Sequence, residues 1–262
     1  MTTTSQQWTD QSLEVAGCRL ALMSAGTGAP LLILHHDIGG AGWLPFYEQL
    51  AQRFTVYVPS HPGYGQSERP DWMRSVRDVA VVYQCAIKSL GLDTPTLVGL
   101  GFGGWIAAEM ATMSPGRFSR LVLVGAMGIH PPHGEIFDQA LVNTQAYIKT
   151  GLQDEGTFES TYGDEPSVDQ LEQWEINREM TFRIAWQPYM YSQTLPHLLT
   201  CVDTPTLVVW GDQDRIVPLS AGERYADVLP NARLEVIRGG GHFLDLERPD
   251  ELSTLITRFS EA

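Results

Sequence analysis

The stretch LVGLGFGGWIAAEMA, Leu97 to Ala111, decides how the rest of the chain is read. An apolar run enters a glycine-rich turn, and small residues then open a helix. This is the strand–turn–helix that raises a nucleophile above a sheet edge, and such a turn carries the pattern Gly-x-Ser-x-Gly. Gly99, Leu100, Phe102 and Gly103 fill their places, but the centre is Gly101. Glycine has no side chain with which to attack. The backbone of the turn is expected to form; the chemistry above it depends on what surrounds it.

Outward from this turn, short apolar runs alternate with helical patterns. Ser12–Gly26 reads as a hairpin. The runs PLLILHH (30–36), FTVYVPS (54–60), PTLVGL (95–100), RLVLVGA (120–126), PTLVVWG (205–211) and ARLEVIRG (232–239) read as strands. Most are rich in Val, Leu and Ile without alternation, as in parallel strands covered on both faces. Helical spacing occurs in 43–53, 75–92, 103–113, 220–230 and 249–260. This order predicts an α/β fold with a mostly parallel sheet and helices on both faces. The alternation breaks between about residues 128 and 197. There, 135–150, 167–186 and 188–199 read as amphipathic helices rich in aromatics, among them Trp174, Phe182, Trp186, Tyr189, Met190 and Tyr191. The expected organisation is a core of 1–127 and 198–262 with a helical cap, 128–197, inserted between core strands. Trp186, Tyr189 and Tyr191 are candidates for a pocket under that cap, although each serves equally well as packing.

At 262 residues the chain is long enough for one large α/β domain. Lys and Arg number 17 against 31 Asp and Glu, a formal charge of −14. Nucleic acid and anionic membranes need clustered positive charge, so neither is expected as a partner. Cys18, Cys85 and Cys201 are scattered, with no metal-like spacing, and point to free thiols in a reducing compartment. The polar start MTTTSQQWTDQS is no signal peptide. No apolar run approaches the ~20 residues of a membrane span. A cytoplasmic protein acting on or binding a small molecule is expected, with a homodimer left open. No metal cluster or nucleotide-binding pattern appears, and no cofactor is implied.

Five motifs in order carry a resemblance to the α/β-hydrolase family from about Ser12 to Phe259. LHHDIGGAGW (34–43) is similar to its His-Gly oxyanion loop and PSHPGYGQSERP (59–70) to its Pro-Gly-x-Gly-x-Ser turn. GLGFGG (99–104) resembles its nucleophile elbow, with Gly101 where the family has serine. VVWGDQDRIVP (208–218) looks like the segment with the triad acid, and GGGHFLDLERPDEL (239–252) like the loop with the triad histidine. Within the family the chain resembles the capped branch of C–C and ester hydrolases. The resemblance implies His242 as general base and Asp214 as its orienting acid, with Asp212 left as a turn residue after Gly211. It also implies the Phe102 N–H as an oxyanion donor at a helix N-terminus.

Two departures matter. Gly101 relieves the strain that a non-glycine residue bears at the elbow, so the turn survives while covalent catalysis is lost. In the oxyanion loop, His35-His36 stands where the family reads His-Gly, and Asp37 takes the position whose backbone N–H supplies the second donor. Either the Asp37 side chain turns away to bond local amides, or the site is not built for an oxyanion. Ser67, Cys85 and Cys201 lack the setting that aims a nucleophile, and only Asp37 lies on the right loop.

Three readings follow. In the first, an enzyme without a covalent intermediate uses His242 and Asp214 to activate water or to deprotonate the substrate, cleaving an ester, lactone or C–C bond. The second is a catalytically silent small-molecule-binding protein on the same scaffold. The third is an engineered serine-to-glycine change in an ordinary serine hydrolase, which the irregular HHDIGG loop argues against.

Overall fold

Neighbouring residues of the central strands are buried on opposite faces of one sheet, which is why these strands are apolar without a period of two. The computed structural model describes residues 8–262; residues 1–7 of the polar start lie outside the described residues. The strands are β1 (Thr9–Val15), β2 (Cys18–Ala25), β3 (Ala29–Leu34), β4 (Phe54–Pro59), β5 (Thr96–Leu100), β6 (Arg120–Val124), β7 (Thr206–Gly211) and β8 (Ala232–Ile237). They form an eight-stranded sheet in the order β1-β2-β4-β3-β5-β6-β7-β8. The pairs β1–β2 and β2–β4 are antiparallel, and every later pair is parallel. In the parallel part, Leu32, Leu34, Leu97, Leu121, Leu123, Val208 and Trp210 face one core. Leu31, Ile33, Val98, Leu100, Val122, Val124, Leu207 and Val209 face the other.

Helices cover both faces. α2 (Val76–Ser89), α3 (Phe102–Met113) and α8 (Leu219–Val228) pack into the first core, and α1 (Pro45–Ala51), the short α9 (Leu244–Glu247) and α10 (Pro249–Ser260) into the second. α2 starts at Ser75 because a capping box closes there: the Ser75 side chain accepts from Asp78 N, and the Asp78 carboxylate accepts from Ser75 N.

Between β6 and β7 lie the helices α4 (Thr144–Gly151), α5 (Glu155–Tyr162), α6 (Val168–Ala185) and α7 (Leu195–Leu199). The expected helix over 135–150 is shorter. The Asn143 side chain accepts from Ala146 N and starts α4 there, while Val142 before it is extended. The expected helix over 188–199 is reduced to α7. Met190 sits at φ +60, and Tyr191 runs beside Gly128 as a bridge, with Gly128 N donating to Met190 O and Ser192 N to Gly128 O. That pairing commits the backbone groups a helix would need.

Candidate active site

Strands β3, β5, β7 and β8 are parallel and end on the same edge, and the loops after them converge there, as ligand sites do in open α/β sheets. β5 ends at Leu100, Gly101 takes φ +51 and ψ −110, and α3 begins at Phe102. Gly101 N–H donates to Val124 O at 2.9 Å and its carbonyl accepts from Gly104 N and Met127 N, which fixes the turn from both sides. Positive φ is open to glycine at little cost. Gly103 is required for a different reason, since a Cβ there would run into the backbone carbonyl of Leu34 at the end of β3. Among the described residues Phe102 N–H, first in α3, makes no hydrogen bond.

The β8 loop brings His242 to this turn. Its Nδ1 lies 2.8 Å from Asp214 Oδ2, and Asp214 in turn accepts from Ile216 N and Val217 N through Oδ1 at 2.8 Å. Asp212 instead accepts from Gly239 N and closes the turn between the β7 and β8 loops. The insertion holds the histidine loop down: His242 N–H donates to Gly151 O at the end of α4. Glu247 accepts from Gly241 N on one side and from Gln153 N and Asp154 N on the other. Burial works against the charged form of His242, but the carboxylates of Asp214, Asp37 and Asp245 outweigh it and hold the ring above its ordinary pKa.

The β3 loop supplies the rest. Its two histidines have separate settings. His35 and His61 stack with centroids 3.7 Å apart. Their tautomers follow from their partners: His35 Nδ1–H donates to His36 O while Nε2 accepts from His61 N, and His61 Nε2–H donates to His35 O while Nδ1 accepts from Tyr83 OH. Burial pushes His35 down to about 4 and His61 well below its usual value. A histidine held neutral in the fold but free to protonate when unfolded makes stability fall as pH drops below ~6.5, by at most about 1.4 kcal/mol per pH unit for one group. Urea midpoints at pH 7.5 and 5.5 are therefore expected to differ less in His61→Asn than in the unsubstituted chain; an equal difference contradicts this role.

His36 points the other way. Its Nε2 lies 2.9 Å from Asp245 Oδ1, and its Nδ1 faces Gly101. Asp37 is 1 % exposed, and neither of its carboxylate oxygens has a hydrogen-bond partner. It does not turn away to bond local amides, so of the two alternatives left by the sequence that one is corrected. The main chain around it is already held from α6, with Asn177 Nδ2 donating to Ile38 O and Thr181 Oγ1 to Asp37 O. Burial raises the Asp37 carboxyl above its usual range, against the pull of His242 and His36. One ligand-type atom from each of His36, Asp37 and His242 lies within 4.8 Å of the others. His36 Nδ1 and His242 Nε2 are both buried and unpartnered. A Cβ on Gly101 would overlap His36 Nδ1 and stand 3.0 Å from His242 Nε2.

Of the aromatic candidates of the insertion, Trp186 and Tyr189 pack edge to face with centroids 5.8 Å apart. Trp186 is 46 % exposed, in a surface groove with Arg69, Phe182 and Arg183 whose lining includes none of the residues around Gly101. Tyr189 is tied by its hydroxyl to Gln139 N and Phe137 O, and the Tyr191 ring packs on His130. These contacts pack the insertion, and Trp186, Tyr189 and Tyr191 remain candidates for a pocket beneath it. Two site residues escaped the sequence reading. Asp245 sits in the quoted GGGHFLDLERPDEL motif, three residues past His242, and that position was the available signal. Tyr147, on α4, is buried beside Asp37 with its hydroxyl unpartnered, and nothing local to its sequence marks it.

The pattern of the alpha/beta hydrolase family matches residues 31–255. The chain is 29% identical over 278 residues to 2-hydroxymuconate semialdehyde hydrolase of Pseudomonas sp. (strain CF600), covering 93% of this chain and 91% of that one. It is 26% identical over 269 residues to a 2-hydroxy-6-oxononadienedioate/2-hydroxy-6-oxononatrienedioate hydrolase of Paraburkholderia phymatum, covering 92% and 90%. Among solved structures, a meta-cleavage product hydrolase from Pseudomonas fluorescens IP01 superposes with a TM-score of 0.81 at 21% identity, over 96% of this chain and 97% of that one. With its eight-stranded sheet, helices on both faces and a helical segment between β6 and β7, the chain belongs to the alpha/beta hydrolase family.

Proposed function

We propose that this chain is a hydrolase that cuts an ester, a lactone or a vinylogous C–C bond of a small molecule by direct attack of water, with no acyl-enzyme. One observation carries the reading. The elbow residue has no side chain, and the space where one would project is faced by His36 Nδ1 and His242 Nε2. In this reading glycine stands where relatives of the family hold serine, and water takes the place of the serine hydroxyl. His242, oriented by Asp214, accepts the proton of that water. His36 and Asp37 position it, and Phe102 N–H at the start of α3 receives the charge that develops on the substrate carbonyl.

The bond class is supported by relatives named as hydrolases of 2-hydroxymuconate semialdehyde and of 2-hydroxy-6-oxononadienedioate. Residues 128–197 act as the cap over the 1–127 and 198–262 core. His242 is 0 % and Asp37 1 % exposed, so this cap has to move for a substrate to enter. An engineered loss of serine fits poorly, because a Cβ at 101 would overlap a histidine that Asp245 holds in place.

The test is a turnover screen with 4-nitrophenyl acetate, simple lactones and 2-hydroxymuconate semialdehyde, with and without a fluorophosphonate. Turnover of at least one substrate, undiminished and with the protein unlabelled, is expected. Binding without turnover across the panel overturns the reading in favour of a silent binding protein. Loss of activity with a labelled side chain overturns the absence of a covalent nucleophile.

A further inference from the structure

The proposed reaction leaves unexplained why the two imidazole nitrogens and the carboxylate above Gly101 are aimed at one another as acceptors, with the Tyr147 hydroxyl beside Asp37 as a buried donor near them. His36 Nε2 and His242 Nδ1 each lie against a carboxylate, so in the neutral rings those nitrogens carry the hydrogens. His36 Nδ1 and His242 Nε2 then present lone pairs. Asp37 adds two more acceptor oxygens, and all four atoms are buried without partners. Two imidazole lone pairs and a carboxylate aimed at one another cannot satisfy each other. They call for a cation between them.

The charge count agrees. Asp37, Asp214 and Asp245 put three carboxylates in or against this sealed centre, and among the described residues no Lys or Arg bonds to any of them. With neutral rings and ionised carboxylates the centre holds three negative charges in low dielectric, a state that either protons on Asp37 and His242 or a bound cation would compensate. A divalent ion leaves one.

We propose that His36 Nδ1, His242 Nε2 and one Asp37 oxygen bind a divalent first-row transition-metal ion in the space that Gly101 leaves open. The donor set, two imidazoles and a carboxylate with further positions free, is the one such ions take in open catalytic sites. The partners of the ligands also fit. Each ring donates its other N–H to a carboxylate, Asp245 or Asp214, which fixes the tautomer and raises the ring's basicity as in carboxylate–histidine–metal triads. The Phe243 ring lies edge-on to both imidazoles, at 4.8 and 5.0 Å between centroids, and walls the site with apolar surface.

Bonds of about 2.0–2.2 Å at a tetrahedral angle set ligand atoms about 3.4 Å apart, so a pair near the 4.8 Å limit draws in by about 1.4 Å on binding. A side chain at 101 would occupy the same space, so the glycine has a use beyond the absence of serine. The inference rests on the reading of this centre as one where water, not a serine, attacks. The ion's contribution would be to acidify that water, with His242 serving as ligand in place of proton acceptor.

The full-length protein, stripped with a chelator and dialysed, is titrated with Co²⁺ and followed by visible absorption and thermal melting. One equivalent per chain is expected, with ligand-field bands of nitrogen-bound cobalt, a raised Tm, and displacement by Zn²⁺. Asp37→Asn and His36→Gln should abolish the bands, and Asp245→Asn should weaken binding by about 10–100-fold. The exposed-residue control His197→Ala should change nothing. Circular dichroism of each variant separates loss of the site from loss of the fold, and Asp245→Asn, which leaves every ligand in place, keeps the test open where a ligand variant fails to fold. An unchanged spectrum and Tm in the unsubstituted chain overturn the site, as does undiminished binding in correctly folded Asp37→Asn. Turnover that survives stripping, with no cobalt bound, overturns the metal and leaves water attack standing. Stoichiometric cobalt with no turnover of any panel substrate leaves the metal standing and removes the hydrolase reading.

Discussion

Replacing His242 by alanine is expected to lower kcat/KM by about 10²–10⁴-fold, the usual contribution of a positioned acid–base group. The effect is large because the ring is the one titratable group that touches both Asp214 and the space above Gly101 among the described residues. The loss should fall mainly on kcat, since the ring acts on the attacking water and not on distant parts of the substrate. Asp214→Asn should cost less: the ring remains, but an amide in that position can donate to Nδ1 and favour the tautomer whose Nε2 carries the hydrogen. Steady-state kinetics on a substrate the unsubstituted chain turns over checks both. A His242→Ala variant with an unchanged rate would falsify the role of the dyad and shift the chemistry to His36 and Asp37.

Gly101→Ser is the second large effect, and its sign is the informative part. In a family member that had simply lost its nucleophile, restoring serine would be expected to help. Here the residue sits at φ +51, where a side chain brings strain of ~1–3 kcal/mol. The new Cβ would also overlap His36 Nδ1, and Asp245 holds that ring at its far nitrogen. The ring has to give way, and the water it positions moves with it. A misplacement of ~1 Å costs on the order of 10²-fold in rate. Lower stability in a urea titration and activity reduced by about that factor are expected. A variant as stable as the parent, faster, and showing a burst of first product would contradict this account of the glycine.

Much of the fold was legible because it rests on local signals. Doubly buried strands such as Thr96–Leu100 read as unbroken apolar runs, and the glycines mark a turn that needs positive φ at 101 and close backbone approach at 99 and 103. The insertion was placed correctly between β6 and β7, but its helices were drawn too long. Amphipathic spacing in 135–150 and 188–199 carries no sign that Asn143 caps a helix or that Tyr191 pairs with Gly128. At the site, the pairing of His242 with Asp214 over Asp212 was legible from the order of residues before Arg215-Ile216-Val217-Pro218. The His36–Asp245 contact was not, because it joins positions 209 apart in sequence. Nor does spacing along the chain reveal the cluster of His36, Asp37 and His242, which is assembled from two loops. For the pocket candidates Trp186, Tyr189 and Tyr191 the sequence shows an aromatic pattern but not whether each ring meets the core, the site or solvent.

Quenched-flow intact-protein mass spectrometry during turnover of 4-nitrophenyl acetate, or of whichever panel substrate the enzyme accepts, tests the central claim most directly. If water attacks the substrate above Gly101 without a covalent intermediate, the protein keeps its unmodified mass at every quench time, from the first turnover to steady state. A species heavier by the acyl fragment, forming at the rate of first-product release and decaying with turnover, would contradict it.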